Sequence, residues 1–271
     1  MVSVRRAACA LALALTAAPP AHAGVGDLLV APTRLVLDGR RSTELVLNNI
    51  GDAPATYRIS VEFRRMKADG TLEEVKNPTA AEQAASDMIV YAPRRVTLAP
   101  HEPQSIRIAA RAPQGLADGE YRVHLLLRAV PAPEPVAPAD GEKPKGVQLR
   151  LIPIYGVTIP VIVRLGNLDA KAGIADVRLE DWNGKQAVGL ELSRTGTRST
   201  FGDIRVYKAG VKNPVALARG VAVYTEVGER HVIVPFDDAL KAQVSGPVTV
   251  QYVETYDDGS KTLAETQAVL H

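Results

Sequence analysis

The chain has little from which to build chemistry. A single cysteine, Cys9, occurs in 271 residues, which excludes a disulfide within the chain and any cysteine-rich metal site. Aromatic residues make up 4%, and Trp182 stands alone, too few for a platform that stacks sugars or bases. His101, His124, His231 and His271 have no second ligand at metal spacing, and no HExxH is present. No serine sits in a G-x-S-x-G elbow, and no glycine motif cradles a phosphate. Asp237-Asp238 and Asp257-Asp258 lack the spacing of a calcium loop. The first reads as the start of a short helix within Phe236–Val244, the second, with Gly259, as a hairpin turn. These absences argue against an enzyme and leave no cofactor or metal to expect.

Excess charge is missing too. The chain carries 32 basic and 30 acidic residues. Its first residues read as a targeting segment: Arg5 and Arg6, an apolar run from Ala7 to Ala18, and a small-x-small cleavage site at Ala21-His22-Ala23. The run is too short to span a bilayer. Cleavage after Ala23 removes two arginines and no acid, leaving 30 against 30. A neutral mature chain has no electrostatic claim on nucleic acid or on an anionic membrane. Cys9 leaves with the signal peptide, so the exported protein must hold together by its core alone.

What is present is alternation. Leu28–Leu37, Ser42–Asn49, Ala55–Phe63, Met88–Tyr91, Arg94–Leu98, Ser105–Ala109 and Glu120–Val130 read as short strands. Turn residues at Asp38-Gly39, Gly51–Pro54, Lys67–Gly70, Ala99-Pro100 and Ala117–Gly119 separate them. Glu73–Asp87 is polar and alanine-rich and reads as a loop with one helical turn. Pro131–Gly146 is a Pro/Ala/charged tract, read as a long loop between the last two strands of a first β-sandwich. Glycines and Asn167 punctuate Leu165–Gly173. Beyond them Ile174–Glu180, Ala187–Ser193, Asp203–Lys208, Gly220–Tyr224, His231–Pro235 and Val248–Thr255 repeat the same grammar. The expected architecture is all-β: a signal peptide over 1–23, a sandwich over 24–166 with the tract 131–146 as its loop, and a second sandwich over 167–271.

One stretch stands out. Val147–Arg164 places Val147, Leu149, Leu151, Pro153, Tyr155, Val157, Ile159, Val161 and Val163 on one side of its alternation. Its β-branched content favours strand. Its length exceeds the usual 5–6 residues or so of a strand. Pro153 and Pro160 each remove a ladder donor, which argues for a sheet edge. Exposed edges are templates for pairing. Either the prolines blunt this one, or the edge is used.

Taken as an ordered set, the segments resemble the PapD-like periplasmic chaperones of the chaperone–usher pathway, which assemble pili. Ala31–Gly39 is similar to that family's first strand, with Arg34 at its arginine. Asn48–Pro54 is similar to the following strand end and turn. Asp87–Pro93 and Val96–Pro100 are similar to an apolar–Pro and Leu-x-Pro-Gly signature, with His101 at the glycine. Glu120–Pro131 is similar to the sixth strand and Val147–Arg164 to the seventh. The pattern stands closest to the branch that assembles spore-coat-like pili. The resemblance implies two Ig-like domains and a periplasmic, non-enzymatic chaperone. Its partners would be pilus or fimbrial subunits and an outer-membrane usher. Each subunit lacks a strand, and the chaperone lends its seventh. Leu149, Leu151, Pro153 and Tyr155 then form the donated row, and Arg34 binds the subunit's C-terminal carboxylate. Glu120, Arg164 and Asp257 form an interdomain charge network. Pro160 departs from the family, which has a lysine there. The competing reading is an exported structural or adhesive sandwich that polymerises through a donor segment of its own. Gly24–Leu28 is short for that purpose.

Overall fold

The computed structural model describes residues 27–131, 154–237, 245–256 and 259–271. Period-two alternation becomes strand nearly everywhere, because side chains of one parity can be buried while the other parity faces water. The first half holds β1 (Leu28–Ala31), β2 (Leu35–Leu37), β3 (Ser42–Asn49), β4 (Ala55–Glu62), β5 (Arg64–Met66), β6 (Leu72–Glu74), α1 (Ala80–Met88), β7 (Ile89–Ala92), β8 (Arg95–Leu98), β9 (Pro103–Ala110), β10 (Gly119–Val130) and β11 (Gly156–Leu165). Two sheets face each other, with orders β1-β3-β9-β7 and β2-β11-β10-β4-β8. Leu45, Leu47, Ile106 and Ile108 of the first pack with Tyr57, Ile59, Leu125, Leu127 and Val161 of the second. The chain enters one sheet as β1 and crosses to the other as β2 within three residues.

The second half holds β12 (Ala170–Trp182), β13 (Lys185–Gly196), β14 (Thr200–Lys208), β15 (Ala216–Val223), β16 (Glu229–Pro235), β17 (Gly246–Tyr256) and β18 (Gly259–Leu270). They form sheets β12-β13-β16 and β15-β14-β17-β18 around a separate core that includes Leu190, Leu192, Ile204, Val206, Val234, Val250 and Tyr252. The fold is thus two β-sandwiches in tandem. No helix among the described residues is long and apolar enough to cross a membrane.

Three segments differ from the sequence reading. Glu73–Asp87 yields a strand end and a nine-residue helix, not one turn. Thr79 caps that helix, accepting from the Glu82 amide at 3.3 Å, while Glu82 accepts from the Thr79 amide at 2.6 Å. This reciprocal box, with an alanine-rich body, is enough to extend the helix. Ala85 and Met88 anchor it in the core. β18 lies outside the strands read from the sequence, since its residues are mostly exposed and carry a weak apolar signal. The long strand read over Val147–Arg164 is described only from Ile154, and strand begins at Gly156. Nearly all of the 131–146 tract, and 238–244 of the expected helix, lie outside the described residues.

Glu82 is also gripped by Arg65, whose Nε and Nη2 donate at 2.7 and 2.6 Å. Chiefly for that reason its carboxyl is pulled from 4.5 down to about 2. A depressed carboxyl contributes stability above its unfolded value and loses it as the pH falls through its folded value. The contribution should therefore be complete above pH 4.5 and fade toward about pH 2. In urea titrations across that window, Glu82→Gln should flatten the acid limb of stability. Superimposable limbs for the two proteins would show that the grip contributes nothing.

The β5–β6 hairpin leaves the first sandwich and lies on the second. Met66 shares a small third core with Ile162, Ala222 and Tyr224, and Leu72, Phe201 and Val227 pack against it. Polar contacts flank this core. The Met66 amide donates to Glu226 Oε1 at 2.7 Å, and the His231 amide donates to the Ala68 carbonyl at 2.8 Å. Truncating a buried methionine typically costs about 2–5 kcal/mol. Met66→Ala should lose an amount in that range and separate the two sandwiches into two unfolding steps by calorimetry. A single transition at the wild-type temperature would mean that the hairpin is an ornament.

Candidate functional site: a strand edge and the cleft beside it

β11 is flanked unequally. On one side β10 pairs with it along its whole length, from Gly119↔Leu165 to Arg128↔Gly156. That ladder continues past the strand, since the Ala129 amide donates to the Tyr155 carbonyl at 2.9 Å. On the other side β2 pairs with it in parallel, and only over Val161–Val163. Among the described residues nothing pairs with the outer edge of Gly156–Pro160. Pro160 stands at the last position before β2 begins. A residue without an N–H is tolerated at such an open edge. Ile154 and Tyr155, which lead into β11, are exposed.

Alternation fixes what this part of the sheet shows to the second sandwich. Val123 and Leu125 of β10 face the core, so Glu120, Arg122 and His124 face away from it. Ile159, Val161 and Val163 do the same for β11, leaving Thr158, Pro160, Ile162 and Arg164 outward. The opposing wall includes Ser199, Phe201, Tyr224 and Glu226.

Three arginines cross the gap. Arg164 Nε donates to Glu120 Oε2 at 2.9 Å, and its Nη2 reaches the Ser199 carbonyl at 3.2 Å. The Ser199 amide donates to the same Glu120 oxygen at 3.0 Å. Arg122 lies over the Tyr224 ring at 3.6 Å. It pairs with Glu226 and donates to the Arg64 carbonyl at 3.1 Å. Arg34 immediately precedes β2 and lies 4.6 Å from the centroid of Phe201. Its Nε and Nη2 are buried without a hydrogen-bond partner. Burial, and then the neighbouring Arg164, lower its pKa. The planar fork of a guanidinium matches a planar anion such as a carboxylate.

Of the residues singled out in the sequence, the structure brings Glu120 and Arg164 into contact. It places Arg34 in the same cleft and Tyr155 at the entrance to β11. Leu149, Leu151, Pro153 and Asp257 lie outside the described residues. Ser199, Phe201, Tyr224, Glu226 and Arg122 went unnoticed in the sequence reading. The polar residues alternating with core positions through Glu120–His124 were the available signal. The wall residues gave none, because their role depends on how one sandwich sits on the other. His101 has φ of 59°, the left-handed conformation that glycine adopts most readily, and it contacts Asp52 at 3.3 Å.

No family model matches the chain, and no curated protein does either. Solved structures do show likeness. The Pseudomonas aeruginosa CupB2 chaperone is 14% identical with a TM-score of 0.45, covering 90% of this chain and 100% of that one. The E. coli chaperone DraB is 17% identical with a TM-score of 0.43, covering 90% and 96%. The CsuC–CsuE chaperone–tip adhesion subunit pre-assembly complex of Acinetobacter baumannii gives 11%, a TM-score of 0.44, and 90% and 97%.

Proposed function

We propose that the chain is a periplasmic assembly chaperone that binds strand-deficient pilus or fimbrial subunits and passes them to an outer-membrane usher. Residues 1–23 export it and are removed; 24–166 and 167–271 are its two domains. It catalyses nothing and needs no cofactor. The observation that carries this reading is the open edge of β11 over Gly156–Pro160, continuous with the apolar row that precedes it. An incomplete sheet can pair its backbone with such an edge and receive alternate side chains in its groove. Leu149, Leu151, Pro153 and Tyr155 supply that row in this reading.

Arg34 gives the edge a stop. β2 runs parallel to β11 and Arg34 immediately precedes β2. A client strand laid parallel along Gly156–Pro160 would therefore end with its C-terminus beside the guanidinium. A terminal carboxylate there would take up the unspent N–H groups. Glu120, Arg164 and Asp257 are read as the charge network that holds the cleft at a fixed angle.

Purification from the periplasm of its own host tests the whole. The expected product is a stoichiometric complex with a subunit that aggregates when the two are separated. Recovery of the chain alone, or as a polymer of itself, would overturn the reading in favour of a structural sandwich.

A further inference from the structure

His124 has no function in the site as described, and its surroundings are unusual. It is 1% exposed, and neither ring nitrogen has a hydrogen-bond partner. Buried imidazole nitrogens are normally satisfied, and leaving them bare is costly. The ring meets Tyr224 edge-on, 6.5 Å between centroids, so it faces the same wall of the cleft as Arg34.

The register says how the two are related. His124 pairs with Pro160 on one side and with Glu62 on the other. Leu35 pairs with Val161, which sets Arg34 beside Pro160. Pro160, His124 and Glu62 therefore form one transverse row across β11, β10 and β4 on the face turned from the core, and Arg34, just before β2, extends it. Pro160 has no polar side chain and no N–H, so nothing in the row between Arg34 and His124 can satisfy either. Glu62 is occupied elsewhere: it accepts from Thr158 Oγ1 at 2.8 Å and from Arg64 Nε at 2.6 Å. Arg122 is held by Glu226 and Tyr224, and Glu120 by Arg164.

We infer that His124 is a second binding residue for the carboxylate held by Arg34, donating one ring N–H to the anion from across the Pro160 ring. This rests on the reading that Arg34 receives a terminal carboxylate. The imidazole is neutral in the free protein: burial, then Arg122 and Arg64, push its pKa down to about 3. A neutral ring still offers one N–H, and it adds no further positive charge beside Arg34, Arg64 and Arg122.

The probe is a synthetic peptide of alternating valine and threonine, compared with its C-terminal amide. The wild type should bind the acid more tightly than the amide. A hydrogen bond to a charged group corresponds to about a tenfold change in affinity. His124→Leu should shrink the preference for the acid about tenfold, and His124→Gln, which keeps a donor, should largely retain it. If His124→Leu keeps the full preference while Arg34→Ala loses it, the anion belongs to Arg34 alone and this inference fails. If the wild type itself shows no preference, the Arg34 reading fails first, and this one with it. Should the leucine variant not fold, the ring nitrogens of isotope-labelled wild-type protein give the answer by NMR. They should shift with the acid and stay still with the amide; equal spectra would overturn the proposal.

Discussion

Leu151→Arg should leave the free protein folded and strip it of its subunit. In the donor reading residue 151 stands in the row that fills a client's apolar groove. An arginine there must enter the groove without a counter-charge, or hold the client strand off. A penalty of about 4 kcal/mol weakens a complex roughly a thousandfold. In that reading the free chain avoids the penalty, because the row leaves water only when it enters a client. Gln148→Arg is the control, since it stands on the opposite side of the alternation and should keep the client. Two measurements decide: the melting curve and the yield of co-purified subunit. A folded variant that carries the normal amount of subunit removes the donor role. An unfolded one assigns Leu151 to the protein's own core and returns β11 to an ordinary closed sandwich.

Arg164→Ala should be the most destabilising single change in the cleft. The Glu120 side chain is 1% exposed, and apart from the Ser199 amide its described partner is this guanidinium. Breaking a buried pair from one side costs about 3–5 kcal/mol, because a charge is left behind without compensation. Removing both charges is milder, since nothing ionic remains to be desolvated. Arg164→Ala combined with Glu120→Gln should therefore be more stable than Arg164→Ala alone. Urea unfolding of the two single variants and the double variant closes the cycle. If the losses simply add, the Arg164–Glu120 pair on the cleft face contributes nothing.

The alternation of Ser42–Asn49, Ala55–Phe63 and Glu120–Val130 was enough to read strands and a sandwich, since one buried face dictates which residues can occupy it. The capping box at Thr79 and Glu82 is equally visible in the sequence, but the polar run around it masks the helix it starts. β18 was not legible, because an edge strand with little buried surface needs no apolar pattern. The prolines of Val147–Arg164 pointed to an edge, and β11 is one over Gly156–Pro160. The parallel cover by β2 over Val161–Val163 was invisible, since it joins segments more than a hundred residues apart. Phe201, Tyr224 and Glu226 gain their places only when one sandwich docks on the other.

The β5–β6 hairpin, seated on the second sandwich through Met66 and Ala68, makes the cleft a gauge and not a jaw. Its width is set when the protein folds, because the same hairpin links both walls. The entropic cost of ordering the two walls has then been met before any partner arrives. In the chaperone reading, discrimination among partners then comes from how well each one already fits a fixed opening. In the chaperone reading, a chain too bulky for that opening is turned away at no cost to the fold. A chain that fits pays only for its own ordering.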